Sequence, residues 1–269
     1  AKEKTINIQR RKGSNFSYLG FNHQDEIVGQ KKVRQAIAHA IDRNSIIHHV
    51  FGDMAYPANS VFPPEHWAGP STLSGYSYDP EQARILLEEA GFTESHPAHL
   101  IYKTSTDPFR LRLATIVQHQ LEQVGIRTSI HSHDWGTFYG DIKAGHFQMY
   151  SLAWVGLKTP DIFHYAFHSD AIPPHGANRG RFVDTHTDAL IEQAQSMQNL
   201  QTKRDTYQRL QTHLLEALPY VPLWFEEHVF MARKNITGYT ISHDGNYDGL
   251  LDVQQTTMPH PTTRLAPKI

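Results

Sequence analysis

The run HLIYKTSTDPFRLRLATIVQHQLEQVGIRTSIH, residues 99–131, carries the punctuation that decides the fold. Asp107 followed by Pro108 reads as an N-cap with proline at the first helical position, where the lost N–H has no helical partner anyway. Gly125 is the matching stop, because glycine takes the left-handed conformation that ends a helix. A helix of about four turns therefore separates β-like runs at 99–104 and 126–131. Strand, helix and strand at this spacing predict a right-handed parallel crossover, and with it a layered α/β fold.

The same grammar recurs on either side. Asp79 and Pro80 open a helix that Gly91 closes, and Asp134 caps another that runs to about Gly145. In VRQAIAHAIDR, residues 33–43, Val33, Ile37, Ala40 and Ile41 share one helical face, and Asn44 is placed to cap a short second helix through Phe51. Phe147–Trp154 reads as a mostly buried strand, and helices follow at about 185–198 and 202–217. An apolar strand, Val221–Met231, leads to a hairpin-like turn at Asp244, Gly245 and Asn246. The Gly-, Pro- and His-rich stretch 156–182 is the least regular part of the chain, and such loops commonly bind ligands. Thr5–Ile8 reads as strand almost at the start, while 256–269, TTMPHPTTRLAPKI, has little to bury and is expected to be an extended tail.

Composition narrows the function. Twenty-five Lys and Arg against 27 Asp and Glu leave a net charge of −2, so no global field favours nucleic acid or an anionic membrane. The absence of cysteine excludes thiol catalysis, thiolate metal sites and disulfides. No apolar run approaches the roughly 20 residues that span a bilayer. The first fifteen residues hold no apolar signal-like core, and with no initial Met they read as the continuation of a longer chain.

Motifs of catalysis are absent: there is no GxSxG, GxxxxGK[ST] or GxGxxG. Adjacent acids such as Glu88 with Glu89 and Glu226 with Glu227 point to opposite sides and read as solvated charges. Among 19 histidines, His131 with His133 share a strand face and His164 with His168 a helix face, but no third ligand stands at a diagnostic spacing. No protein metal site and no cofactor are expected. Aromatic residues beside loops are more informative. Trp224, within YVPLWF, is expected in the core, whereas Trp154, at the end of a buried strand and before a loop, suits a core or a pocket equally.

Taken in order, YLGFN (18–22), VRQAIAHAIDRNSII (33–47), PANSVFPPEHW (57–67), YDPEQARILLEEAGF (78–92), LEQVGIRTSIHSHDWGTF (121–138), FQMYSLAWVG (147–156), GANRGRF (176–182), DALIEQAQ (188–195), YVPLWFEEHVFMARKNITGY (220–239) and DGNYDGLLDV (244–253) form a specific set. The set resembles the carboxy-terminal part of the bacterial extracellular solute-binding proteins of family 5, the oligopeptide, dipeptide and nickel type that serve ABC importers. The resemblance implies an α/β periplasmic-binding-protein-like lobe of the cluster C type, a mixed sheet flanked by helices, with the amino-terminal lobe absent. It further implies that residues 1–22 are a strand segment crossing from that other lobe, that 23–240 form the carboxy-terminal ligand-binding lobe, and that 241–269 return to the hinge as a hairpin and extended tail.

The function implied is a non-catalytic, monomeric receptor, periplasmic or lipid-anchored outside the cytoplasm. It would close on a peptide or similar small polar solute and deliver it to a membrane permease, with no nucleic acid as partner. The alternative, on the same resemblance, is the sensing lobe of a bacterial transcription regulator. Matching positions place Trp154, Val155, Gly156, Leu157 and Lys158 on the cleft, with Asn178 and Phe182 on the loop bordering it. Peptide-binding relatives carry a WxxD pattern whose acid meets the ligand's α-amino group. Here WVGLKTPDIF puts Leu157 and Lys158 at that place, and Asp161 matches a later position. Losing that carboxylate removes a charge-assisted hydrogen bond worth about 1.5–3 kcal/mol. Lys158 would favour an anionic group instead, and His168 and His175 are the nearby residues able to assist a metal chelate.

Overall fold

Sixteen consecutive residues, Ile6–Phe21, form strand β1 in the computed structural model, which describes residues 6–256. The tail expected beyond Thr256 lies outside these residues. The residue pattern alone marks only Thr5–Ile8 as strand, because RRKGSN in the middle has no apolar alternation, whereas the family resemblance implies a strand segment over 1–22. β1 pairs antiparallel with β6 (Tyr220–Arg233) over most of its length, and from Phe16 onward also with β5 (Met149–Trp154). β5 pairs in parallel with β3 (His99–Ser105), and β3 with β4 (Arg127–His133), as the crossover reading requires. With β2 (Ala55–Pro57) on the other edge, the mixed sheet has the order β2-β6-β1-β5-β3-β4.

Burial along β1 follows its partners. Ile6–Lys12 pair only with β6 and are largely exposed, forming a two-stranded ribbon, whereas Ser14–Phe21 lie inside the sheet. There the period of two sorts residues between two cores. Leu19 and Phe21 face α1 (Lys31–Ala40), α2 (Arg43–Phe51), α3 (Pro80–Glu89) and α4 (Pro108–Gln123), with Tyr102, Met149, Leu223 and Trp224 in the same layer. Phe16 and Tyr18 face α5 (Trp135–Ala144), α6 (Asp161–Phe167), α7 (Thr185–Ser196) and α8 (Leu200–Ala217), packed with Tyr150, Leu152, Tyr220 and Phe225. Helices thus cover both faces of the sheet. No helix of the described residues is long and apolar enough to cross a membrane.

Side-chain caps fix where these helices start. Asp79, Asp107, Asp134 and Asp184 each accept from the N–H three residues on, and Asn199 does the same two and three residues on. Each such cap is worth about 1 kcal/mol. Three details depart from the sequence reading. Helix α1 stops at Ala40, since Ile41 is extended, so the cap of α2 is Asp42 rather than Asn44. The irregular stretch 156–182 contains the seven-residue helix α6, held by Ile162, Phe163, Ala166 and Phe167 in the second core. The turn at Ser242–Asn246 is not flanked by paired strands. Instead β7 (Ile236–Thr237) pairs with β8 (Gln254–Gln255) beyond a 3₁₀ turn at Asp248–Asp252.

Arg34 locks the far end of the sheet. It is buried on α1, and its guanidinium donates to Leu218 O and Ala217 O at the end of α8 (2.9 Å each) and to Val28 O and Gly29 O (2.9 and 2.7 Å). A cation on the last carbonyls of a helix also meets the negative end of its dipole. Burial lowers its pKa to about 10, so it stays charged at neutral pH. Arg34→Met would leave these carbonyls without a donor and is expected to lower the unfolding free energy by about 3 kcal/mol in urea titrations.

His23 lies beside this cation. Burial first, and then the charge of Arg34, hold its pKa down to about 3. A histidine neutral in the fold takes up protons more readily when unfolded, so stability rises with pH across the window between the two values. As pH falls from about 6.5 toward 3, His23 should therefore cost up to about 1.4 kcal/mol per pH unit. His23→Gln should flatten this slope in denaturation curves.

Candidate functional site

At the end of the sheet where β5 finishes, three segments meet. β1 bulges between Lys12 and Asn15, where its register against β6 shifts. Gly13 makes this possible, because a Cβ there would stand 2.4 Å from Glu226 O. The bulge turns Asn15 toward the loop after Trp154, and its Oδ1 accepts the Gly156 N–H at 3.1 Å. Ser14 N–H donates to His243 O (3.1 Å) and His243 Nδ1 lies 2.7 Å from Lys12 O, which docks the turn at 242–246 against the same bulge. Gly156 has φ of +68°, the left-handed conformation that allows the chain to reverse here.

This seam brings Trp154–Lys158 together. Val155 is 72% exposed, and Leu157 is half-buried against the second core. Lys158 Nζ is 2.7 Å from Asp244 Oδ2, and its carbonyl is 3.1 Å from His66 Nε2. Asp244 also accepts from Ser242 Oγ and, at 3.1 Å, from Asn246 N–H. Lys158 chiefly, then Ser242, hold the Asp244 carboxyl well below the usual carboxylate range, and Asp244 raises the Lys158 ammonium in turn.

Trp154 is half-buried, and its ring is packed on several sides. The Arg179 guanidinium lies 4.9 Å from its centroid, Tyr18 stacks at 6.3 Å, and Tyr165 meets it edge-on at 6.1 Å. Arg179 is buried and donates to Tyr139 Oη at 3.0 Å. Among the described residues no carboxylate pairs with it. Burial works against its charge, yet with Tyr18, Tyr220, Tyr150 and Tyr139 around it its pKa stands above the ordinary arginine value, so it is charged at neutral pH.

Asn178 and Phe182 are not part of this exposed loop. Asn178 is 1% exposed; its amide donates to His168 O (3.1 Å) and Phe182 O (2.7 Å) and accepts the Phe182 N–H (3.0 Å). Phe182 is buried, edge-on to His23 at 5.0 Å. Both hold the 168–182 segment in shape. His168 is buried at the end of α6, His175 is exposed on the turn beyond, and Trp224 lies in the core as its sequence context predicts. Sequence reasoning missed Asn15, Arg179 and Asp244 as parts of the site. Asn15 and Arg179 sit in polar runs without periodicity, and Asp244 reads only as a turn former.

On the other face of the sheet, a second hollow of about 400 Å³ opens under the start of α4, lined by Ser17, Tyr102, Phe109, Arg110, Trp224 and Glu226. Ser17 Oγ donates to Glu226 at 3.3 Å across its floor.

The fold is a mixed sheet flanked by helices, and the chain belongs to the bacterial extracellular solute-binding proteins of family 5. The family model described as "Bacterial extracellular solute-binding proteins, family 5 Middle" matches residues 1–172. Di/tripeptide-binding protein 2 of Pseudomonas aeruginosa is 32% identical over 84% of this chain and 43% of its own length. The dipeptide-binding protein of Escherichia coli is 26% identical over 91% and 46%. Among solved structures, HbpA2 from Haemophilus parasuis aligns with a TM-score of 0.84 at 25% identity, covering 95% of this chain and 51% of that one. The chain spans about half the length of the relatives it matches.

The Lys158–Asp244 contact sets a titration with a definite sign. A carboxyl depressed in the fold contributes stability that is fully present above the ordinary value, about pH 4, and is lost as pH falls through its own lower value. A carbon-13 NMR titration should find Asp244 ionised well below the usual carboxylate range. In Lys158→Met its midpoint should move up toward that range.

Proposed function

We propose that this chain is the carboxy-terminal, ligand-binding lobe of a substrate-binding component of an ABC importer, working outside the cytoplasm as a monomer. It holds a peptide or similarly sized polar solute against the remainder of a longer protein and hands it to a membrane permease. Residues 6–22, exposed along the ribbon Ile6–Lys12 and built into the sheet from Ser14 on, and the 241–256 return are the segments that cross to that remainder. Neither nucleic acid nor a catalysed reaction has a part in this reading.

The observation that carries it is the seam at the end of β5. There an exposed loop, 155–158, is fixed from below by Asn15 and from the side by Asp244, beside an indole backed by the buried Arg179. Such a surface offers an apolar platform and charged groups of both signs, which is what holding and orienting a peptide-like solute requires. The peptide-binding names of two relatives support the same class of ligand. Leu157 and Lys158 stand where peptide-binding members place an acid, so a free α-amino group has one charge-assisted hydrogen bond less to hold it here. Lys158 and Asp244 supply the charge at the same place, with Lys158 meeting anionic or carbonyl groups of the ligand.

Native mass spectrometry of the whole protein, purified without refolding, tests this reading. The expected result is a retained solute of peptide size. Trp154→Ala should weaken its binding by about 2 kcal/mol, roughly thirtyfold. An empty protein that shifts operator DNA would contradict the receptor and favour a regulator.

A further inference from the structure

His164 and His168 stand one turn apart at the end of α6, with ring centroids 4.4 Å apart and planes within 10°. Each ring aims a nitrogen at the same oxygen. His168 Nδ1 is 2.7 Å and His164 Nε2 is 3.6 Å from Asp170 Oδ1. Among the described residues, this is the one group of three or more histidines and acids whose candidate ligand atoms all lie within 4.8 Å of one another. The other spaced pair, His131 and His133, lies on β4 with no such third partner among those residues.

The group is held on a rigid frame. His168 is 8% exposed, its N–H donates to His164 O, and its carbonyl accepts from the buried Asn178 amide. Its second nitrogen, Nε2, is 3.4 Å from Glu192 Oε1 on α7. A ring nitrogen facing the cluster and the other held by a carboxylate is the arrangement that fixes the tautomer and orientation of a metal-bound imidazole. The Asp170 and Glu192 side chains are more than half exposed and that of His164 is about a third exposed, which leaves a path from solvent.

Two imidazole nitrogens and one carboxylate oxygen suit divalent first-row transition ions better than calcium or magnesium, which take oxygen donors. With bonds of about 2.0–2.2 Å, tetrahedral ligands stand roughly 3.3 Å apart. The separations from the Asp170 oxygen, 2.7 and 3.6 Å, bracket this value, and all three ligand atoms lie within 4.8 Å of one another. The stacked rings therefore need only rotate about their side-chain bonds, without a backbone shift across the fold, to turn their nitrogens onto one ion. We propose that His164 Nε2, His168 Nδ1 and an Asp170 carboxylate oxygen form a three-ligand site for a divalent first-row transition-metal ion. Glu192 positions His168, and a fourth ligand comes from solvent. The site uses the far end of α6 and the edge of α7, not the loop at 155–158, and is independent of the solute-binding reading.

Isothermal titration of zinc into the metal-stripped chain tests the proposal. One saturable site per chain is expected, with a rise in melting temperature on zinc addition. His164→Gln and Asp170→Asn, both at partly open positions, should each weaken zinc binding at least tenfold and abolish the thermal shift. The control His131→Gln/His133→Gln should bind as the parent does. The two site variants are independent, so either one alone decides. No stoichiometric binding, or equal affinity in His164→Gln, would overturn the assignment and leave His168 as a hydrogen-bonded histidine between two acids.

Discussion

The antiparallel pairing of β1 on both of its sides is the constraint from which the remaining architecture follows. A strand that carries β6 on one edge and β5 on the other cannot slip by one residue, because a slip would move Phe16 and Tyr18 into the core that belongs to Leu19 and Phe21. Two glycines make the close packing possible. A Cβ on Gly20 would lie 2.6 Å from the Tyr150 ring, and one on Gly13 would strike the β6 backbone. Where β1 leaves the sheet it does so through that second glycine, so the bulge, the ribbon beyond it and the docked 242–246 turn all share one origin.

The proposed binding seam inherits its precision from this frame rather than from the loop itself. Of residues 155–158 only Leu157 packs against the core, while Val155 and Lys158 are exposed, and such segments are ordinarily the least stable parts of a fold. Here the loop is tied to β1 through Asn15 and to the return segment through Asp244. Trp154 is held by Arg179 and the tyrosines of the second core. A platform aromatic set on a rigid strand, followed by a loop fixed at two points, is suited to meeting a ligand or a second lobe without much reordering, and that lowers the entropic cost of binding.

Elements that carry their own local physics were legible in the sequence. Asp107 with Pro108 and Asp79 with Pro80 mark helices because the cap is a contact within four residues, and the parallel pairing of β3 with β4 follows from the helix between them. What escaped depends on partners distant in the chain. RRKGSN has no apolar alternation to mark it as strand, and β6 supplies its hydrogen bonds from more than 200 residues away. The ordered motifs point to Trp154, Gly156 and Lys158 as candidates, but Asp244 is joined to Lys158 only by a fold that brings the return back on β1. Asn178 shows the converse. Its place in an irregular polar loop suits a contact to ligand, yet its amide is engaged in holding His168 and Phe182.

The central claim is that solute meets this chain at the seam of β1, the 155–158 loop and the 242–246 turn. Hydrogen exchange read by mass spectrometry, with and without a mixed tripeptide pool added to the whole protein, tests it most directly. The account expects slowed exchange at the amides of residues 14–15, 155–158 and 242–246, with little change under the start of α4. Protection confined to the hollow lined by Tyr102, Phe109 and Arg110, with the seam unchanged, would contradict it.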